Sequence, residues 1–139
     1  LQGQMSTNIT SFIYPAIRTA LTQCAGEVER MRAAFAKRGE VIARRLAGVP
    51  GLKNARTTGA FYAFPDVSSY FGRTTPAGKR VACAMDLCEA LLEEARVAFV
   101  PGEDFGGCGK NHVRISFACS EEQIERGMDR FAGFLASLR

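Results

Sequence analysis

The 139-residue chain has a single histidine, His112, and no C-x-x-C pair among its five cysteines, Cys24, Cys83, Cys88, Cys108 and Cys119. A zinc site would have to be assembled from cysteines whose spacings match no ligand pattern, which excludes a structural metal. Five thiols cannot all pair within one chain, and idle thiols of this kind fit a reduced, cytoplasmic setting. No stretch approaches the ~20 consecutive apolar residues of a membrane span, and no basic-then-apolar leader opens the chain. Lysine is scarce: Lys37, Lys53, Lys79 and Lys110 stand against fourteen arginines. Basic residues never run more than two together, and the net charge of +4 is diluted over the chain, which argues against nucleic acid as a partner.

What remains is globular in character. With 47% hydrophobic and 23% charged positions, the composition is that of one ordinary domain. At this length folding buries roughly 68% of the unfolded surface, enough for a core without disulfides. The first residue is Leu1 and not Met, and the expectation is a piece of a larger protein.

Periodicity divides the chain into elements. An apolar segment from Ile9 to Cys24, with Thr10 or Ser11 able to cap and Pro15 in its first turn or at a kink, predicts a helix. Gly26 is expected to separate it from a long amphipathic helix over about 26–47, in which Val28, Met31, Phe35, Ile42 and Leu46 form the stripe and Gly48 and Pro50 the stop. Residues 59–67 are short and aromatic, as in a strand, and 68–80 read as a loop. Val81, Met85, Cys88, Leu91, Leu92 and Ala95 predict a helix, followed by a strand over 97–100. In His112 to Ala118 the residues alternate: Val113, Ile115 and Phe117 share one face, and His112, Arg114 and Ser116 the other. Ser120-Glu121-Glu122-Gln123 is a capping box, and Ile124, Met128, Phe131, Leu135 and Leu138 stripe the last helix. Three strands and four helices in this order predict an α/β, two-layer arrangement, a small mixed sheet with helices covering one face.

Two glycine-rich loops are not nucleotide sites. Gly72 to Arg80 has five residues between its glycines, an internal proline, and Arg80 where a Mg²⁺-binding hydroxyl belongs. Gly102 to Gly109 leads into a strand and not a helix. Arg114 is different: a guanidinium held mid-strand among apolar neighbours is costly unless it meets an anion, and its planar fork suits a carboxylate. Its partner is either an internal Asp or Glu or an external anion. His112 reads as a surface or cleft-edge residue, and Ser116 has no base at a motif spacing.

Four blocks taken together, Gly59-Ala-Phe-Tyr-Ala-Phe-Pro-Asp-Val67, Glu94-Ala-Arg-Val-Ala-Phe-Val-Pro-Gly102, Phe105-Gly and Val113-Arg-Ile-Ser-Phe-Ala118, resemble the carboxy-terminal part of a class I/II aminotransferase. Within it the likeness is nearest to the bacterial aspartate aminotransferase group. Gln2 to Ser11 is similar to the segment that follows the cofactor-lysine region of that family. The resemblance implies a pyridoxal phosphate enzyme of fold type I, in which residues 1–28 are a remnant of the large cofactor domain and the start of the interdomain helix, and 29–139 are the small domain.

By that resemblance the polar face of the last strand meets the substrate cleft. Arg114 takes the place of the arginine that grips the substrate α-carboxylate, and Phe61 borders the substrate or packs in the sheet. The family's catalytic lysine stands in a Ser-Lys context followed by Gly-x-Arg-x-Gly. None of Lys37, Lys53, Lys79 or Lys110 has it. No catalytic or cofactor-binding residue is therefore assigned here, and the chain alone is expected to be inactive. The resemblance also implies a homodimeric parent with Gln4 to Thr10 near the subunit interface. Exposed Ile9, Phe12, Ile13, Ile17 and Leu21 are expected on the first helix once it is separated from a large domain. Alternatives are an aminotransferase for an aromatic or alanine-type amino acid, and a stand-alone, non-catalytic interaction module of the same fold.

Overall fold

A computed structural model describes residues 9–53 and 57–139. The segment from Gln4 to Asn8, expected near a subunit interface, lies outside the described residues. The chain divides into two compact units, Leu1–Ala34 and Phe35–Arg139. The division falls inside a helix that the resemblance assigns to both domains.

In the first unit a 3-10 turn, Ser11–Ile13, leads into α1, Tyr14–Gln23, with Pro15 in the first turn, where its missing N–H costs nothing. Thr10 stands at the cap of that turn without a side-chain bond. The helix stops at Cys24, and α2, Ala25–Ala47, begins at once. Gly26, expected as the break, lies within α2: one glycine costs a helix only about 1 kcal/mol, and a 23-residue helix absorbs that. Ile9, Phe12, Ile13 and Leu21 expose large apolar surface, as expected, while Ile17 is half-buried. Val28 and Met31, expected in the apolar stripe of α2, are exposed as well, because the stripe enters the buried core only from Val41 onward.

The second unit holds the core. α2 contributes Val41, Ile42 and Leu46 before Gly48 ends its pattern. Three strands follow: β1, Tyr62–Ala63, β2, Val100–Pro101, and β3, Val113–Ser116. Their order is β1-β3-β2, and both pairings are antiparallel, Tyr62 opposite Ser116 and Val100 opposite Arg114. The mixed sheet expected from element order is thus corrected to an antiparallel one. The helical crossover does make β1 and β2 run the same way, but β3 inserts between them, so they never become neighbours.

The strands are shorter than their sequence patterns. Pro65 has no N–H to continue the β1 ladder, although its carbonyl accepts from Val113 and Asp66 bridges His112 in the same register. Val97 is withheld from β2 because its N–H bonds to the Leu91 carbonyl and closes the preceding helix. That helix, α3, runs Ala84–Ala90 and widens into a π turn, Leu91–Ala95. Its start falls after Val81, whose N–H and carbonyl pair with Arg73 and Gly72 instead.

The last helix, α4, runs Glu121–Ser137 behind the expected capping box: the Ser120 hydroxyl accepts from the Gln123 N–H, and the Gln123 amide oxygen accepts from the Ser120 N–H. Val113, Ile115 and Phe117 enter one core with Ile42, Leu87, Leu91, Met128 and Phe131. Phe99 meets Phe131 edge-on at 4.9 Å. The other side of β3 is left for polar groups.

Candidate functional site

β3 carries the site because alternation that sends Val113 and Ile115 into the core sends Arg114 the other way. Arg114 is half-buried, and its guanidinium carbon lies 4.6 Å from the centre of the Tyr62 ring and 4.4 Å from that of Phe105. Tyr62 arrives from β1, opposite Ser116. Phe105 ends a 3-10 turn, Gly102–Phe105, that leaves β2. Such contacts act on the face of a guanidinium through the ring quadrupole and leave its in-plane N–H donors available.

Among the described residues no carboxylate pairs with Arg114, and its side chain donates no hydrogen bond to protein. Of the two partners that the sequence allowed, the internal one is not found. A half-buried cation with unspent donors and aromatic neighbours has the chemistry to take an anion that presents two coplanar oxygens.

The aromatic group continues beyond Arg114. Phe64 meets Phe105 edge-on at 6.1 Å and stacks nearly parallel on His112 at 4.9 Å. Buried His112 Nδ1 has no hydrogen-bond partner. Asp66, bridged to His112, is held below the usual carboxylate range by the Ser68 hydroxyl and N–H, against the opposing effect of burial. Phe61 lies outside this group: its ring packs 5.7 Å from Phe35 and 4.5 Å from Tyr62, and its carbonyl accepts from Phe117. It therefore touches the Arg114 site through Tyr62.

Glycine makes the approach of Phe105 possible. A Cβ on Gly102 would stand 2.7 Å from the His112 carbonyl oxygen and 2.9 Å from Phe64, so the turn bearing Phe105 can lie against β3 only with hydrogen at that position. Tyr62 and Phe105 as neighbours of Arg114 escaped sequence reasoning. Only the pairing register brings Tyr62 beside it.

No lysine is placed as a cofactor amine. Lys37 pairs with Glu121 at 2.9 Å, and Lys53 and Lys110 are exposed. Lys79 bonds Glu89 at 2.6 Å, which raises its pKa and holds it in the protonated, non-nucleophilic form. The residues present do not fit a covalently held aldehyde cofactor, in keeping with the missing lysine motif. Among the described residues no cluster of metal-ligating side chains occurs, and no helix is long and apolar enough to cross a membrane.

Comparison with known proteins decides the family. The model of the aminotransferase class I and II family matches residues 1–131. The chain belongs to that family. Aspartate aminotransferase of Streptomyces avermitilis is 34% identical over all 139 residues, and the match covers 33% of that protein. A probable aspartate/prephenate aminotransferase of Aquifex aeolicus is 36% identical over 132 residues, which are 94% of this chain and 31% of the relative. The crystal structure of the aspartate aminotransferase from Rhizobium meliloti superposes with a TM-score of 0.89 at 32% identity, over 99% of this chain and 34% of that one. The chain thus spans about a third of the length of the relatives it matches.

Proposed function

We propose that the chain is the small-domain part of a pyridoxal phosphate-dependent aminotransferase, and that Arg114 grips the α-carboxylate of an amino acid or 2-oxo acid. The observation that carries this reading is the guanidinium of Arg114, free of any internal carboxylate among the described residues and flanked by Tyr62 and Phe105. Aspartate is the substrate the reading favours, because relatives bearing that name match along the whole chain. The large domain of the parent supplies the cofactor site, and no chemical step is assigned to residues of this chain. The parent is read as a cytoplasmic homodimer, and the chain alone as inactive.

The contribution of Arg114 is then positional. Two parallel N–H···O bonds fix the plane of the carboxylate and with it the direction of the bonds at the adjacent carbon, which is how a catalyst converts binding into orientation. The rings of Tyr62 and Phe105 lie 4.6 and 4.4 Å from the guanidinium carbon and hold its orientation through their faces while its N–H edge stays free for the carboxylate.

The test is Arg114→Ala in the complete enzyme. Two charge-assisted hydrogen bonds at about 1.5–3 kcal/mol each predict a loss of roughly 10²–10⁴-fold in kcat/KM for the amino acid. Cofactor absorbance is expected to be unchanged. Wild-type kinetics in this variant would overturn the assignment.

A further inference from the structure

α4 pairs three of its four acids with bases outside the helix and none of them with its own two arginines. Glu125 is bonded by Arg44 and Arg45, Asp129 by Arg45, and Glu121 by Lys37. Arg126 and Arg130, one helical turn apart, have no ion-pair partner among the described residues. With Arg96 they line a concavity of about 290 Å³, together with Gln123 and Cys119, and no carboxylate is in its lining. The Gln123 amide oxygen is committed to Ser120, so its amide nitrogen remains a donor. The space beside Gly127 is open, and a Cβ there would meet nothing within 4 Å.

Arg96 supplies an independent observation. It follows the π turn Leu91–Ala95 with φ 56° and ψ 42°, the left-handed slot at a helix end where glycine is favoured. Like charges one turn apart on α4 oppose the helix as well. Arg96, in its left-handed conformation, and the exposed pair Arg126 and Arg130 meet at one open concavity. Features that weaken a fold and converge on a cavity are those a ligand would explain.

We propose that Arg96, Arg126 and Arg130 form an oxyanion site for a phosphoryl group, either free phosphate or the phosphate of a small ester. A carboxylate would balance one of the three charges, whereas a phosphoryl dianion offers three acceptor oxygens to guanidinium forks. Glu93 and Glu94 precede Arg96, and Glu121, Glu122, Glu125 and Asp129 share α4 with the other two. This acidic surround favours a compact anion over an extended polyanion. The site shares no residue with the Arg114 group.

Calorimetry on the intact holoenzyme at 0.15 M salt tests this, with any cofactor-phosphate pocket already filled. Inorganic phosphate is expected to bind the wild type at least about ten-fold more tightly than the Arg126→Gln/Arg130→Gln variant, with acetate binding neither. Equal affinity of phosphate for wild type and variant overturns the proposal. Glycerol phosphate binding as well as phosphate assigns the site to an ester, and weaker binding assigns it to the free ion. Arg96→Gly separates strain from function: the melting temperature rises while phosphate affinity falls about ten-fold. A higher melting temperature with unchanged affinity also refutes the three-arginine site.

Discussion

Gly102→Ala probes how closely the Phe105 turn is pressed against β3. The added methyl would press on the Gly109 carbonyl oxygen first and stand 2.7 Å from the His112 carbonyl oxygen, which itself accepts the Gly102 N–H at 2.8 Å. Relief requires the turn to withdraw by several tenths of an ångström, which stretches that hydrogen bond and strains the adjacent Pro101 to Val113 pairing. Overpacking of a tight site costs about 1–3 kcal/mol and a weakened backbone bond about 1 kcal/mol, so about 2–4 kcal/mol is expected. With a urea slope of about 2 kcal/mol per molar, the midpoint should fall by roughly 1–2 M. Far-UV circular dichroism during urea unfolding measures it. Gly107→Ala, where a Cβ meets nothing within 4 Å and φ is ordinary, is the control and should stay within about 0.5 kcal/mol of wild type. A Gly102→Ala protein as stable as the Gly107→Ala protein would refute the close-approach reasoning. Carboxylate affinity at Arg114 should fall with Gly102→Ala, because Phe105 rides on the displaced turn.

Three further outcomes follow from other parts of the molecule. Gly127→Ala, in the interior of α4 with open space around the new methyl, should stabilise the protein by about 1 kcal/mol in the same denaturation assay. Asp86, held low chiefly by the Ala82 N–H, and Asp66, held low chiefly by Ser68, both have depressed folded-state values. Their stabilisation is present above the unfolded value of about 3.9 and is lost as pH falls through the folded value, so an Asp66→Asn/Asp86→Asn variant should be less stable than wild type near neutrality and converge with it below about pH 4. Burial pushes the Cys88 thiol up to about 12, whereas Cys108 is exposed, so alkylation at pH 8 followed by mass spectrometry should label Cys108 and spare Cys88 until unfolding.

Much of this architecture was legible because it rests on local chemistry. The capping box at Ser120 and the stripe from Ile124 to Leu135 depend on spacing alone, and both stand where the pattern puts them. The alternation of β3 was equally plain. Other features depend on distant backbone. Residues 97–99 look like a strand, but the helix end at Leu91 claims the Val97 N–H. The aromatic sequence from Phe61 to Phe64 says nothing of which ring meets Arg114, because register across β3 chooses Tyr62. Phe105 could be placed only with the close approach of Gly102 to Gly109 and His112 in view.

The placement of Tyr62 has an optical consequence. The chain contains no tryptophan and three tyrosines, so tyrosine emission is not drained by energy transfer to an indole within it. One of the three has its ring centre 4.6 Å from the guanidinium carbon of Arg114. On the proposed reading, a carboxylate settling on that guanidinium would change the charge felt by the phenol, so that the chain would carry its own ultraviolet indicator of occupancy without an attached dye.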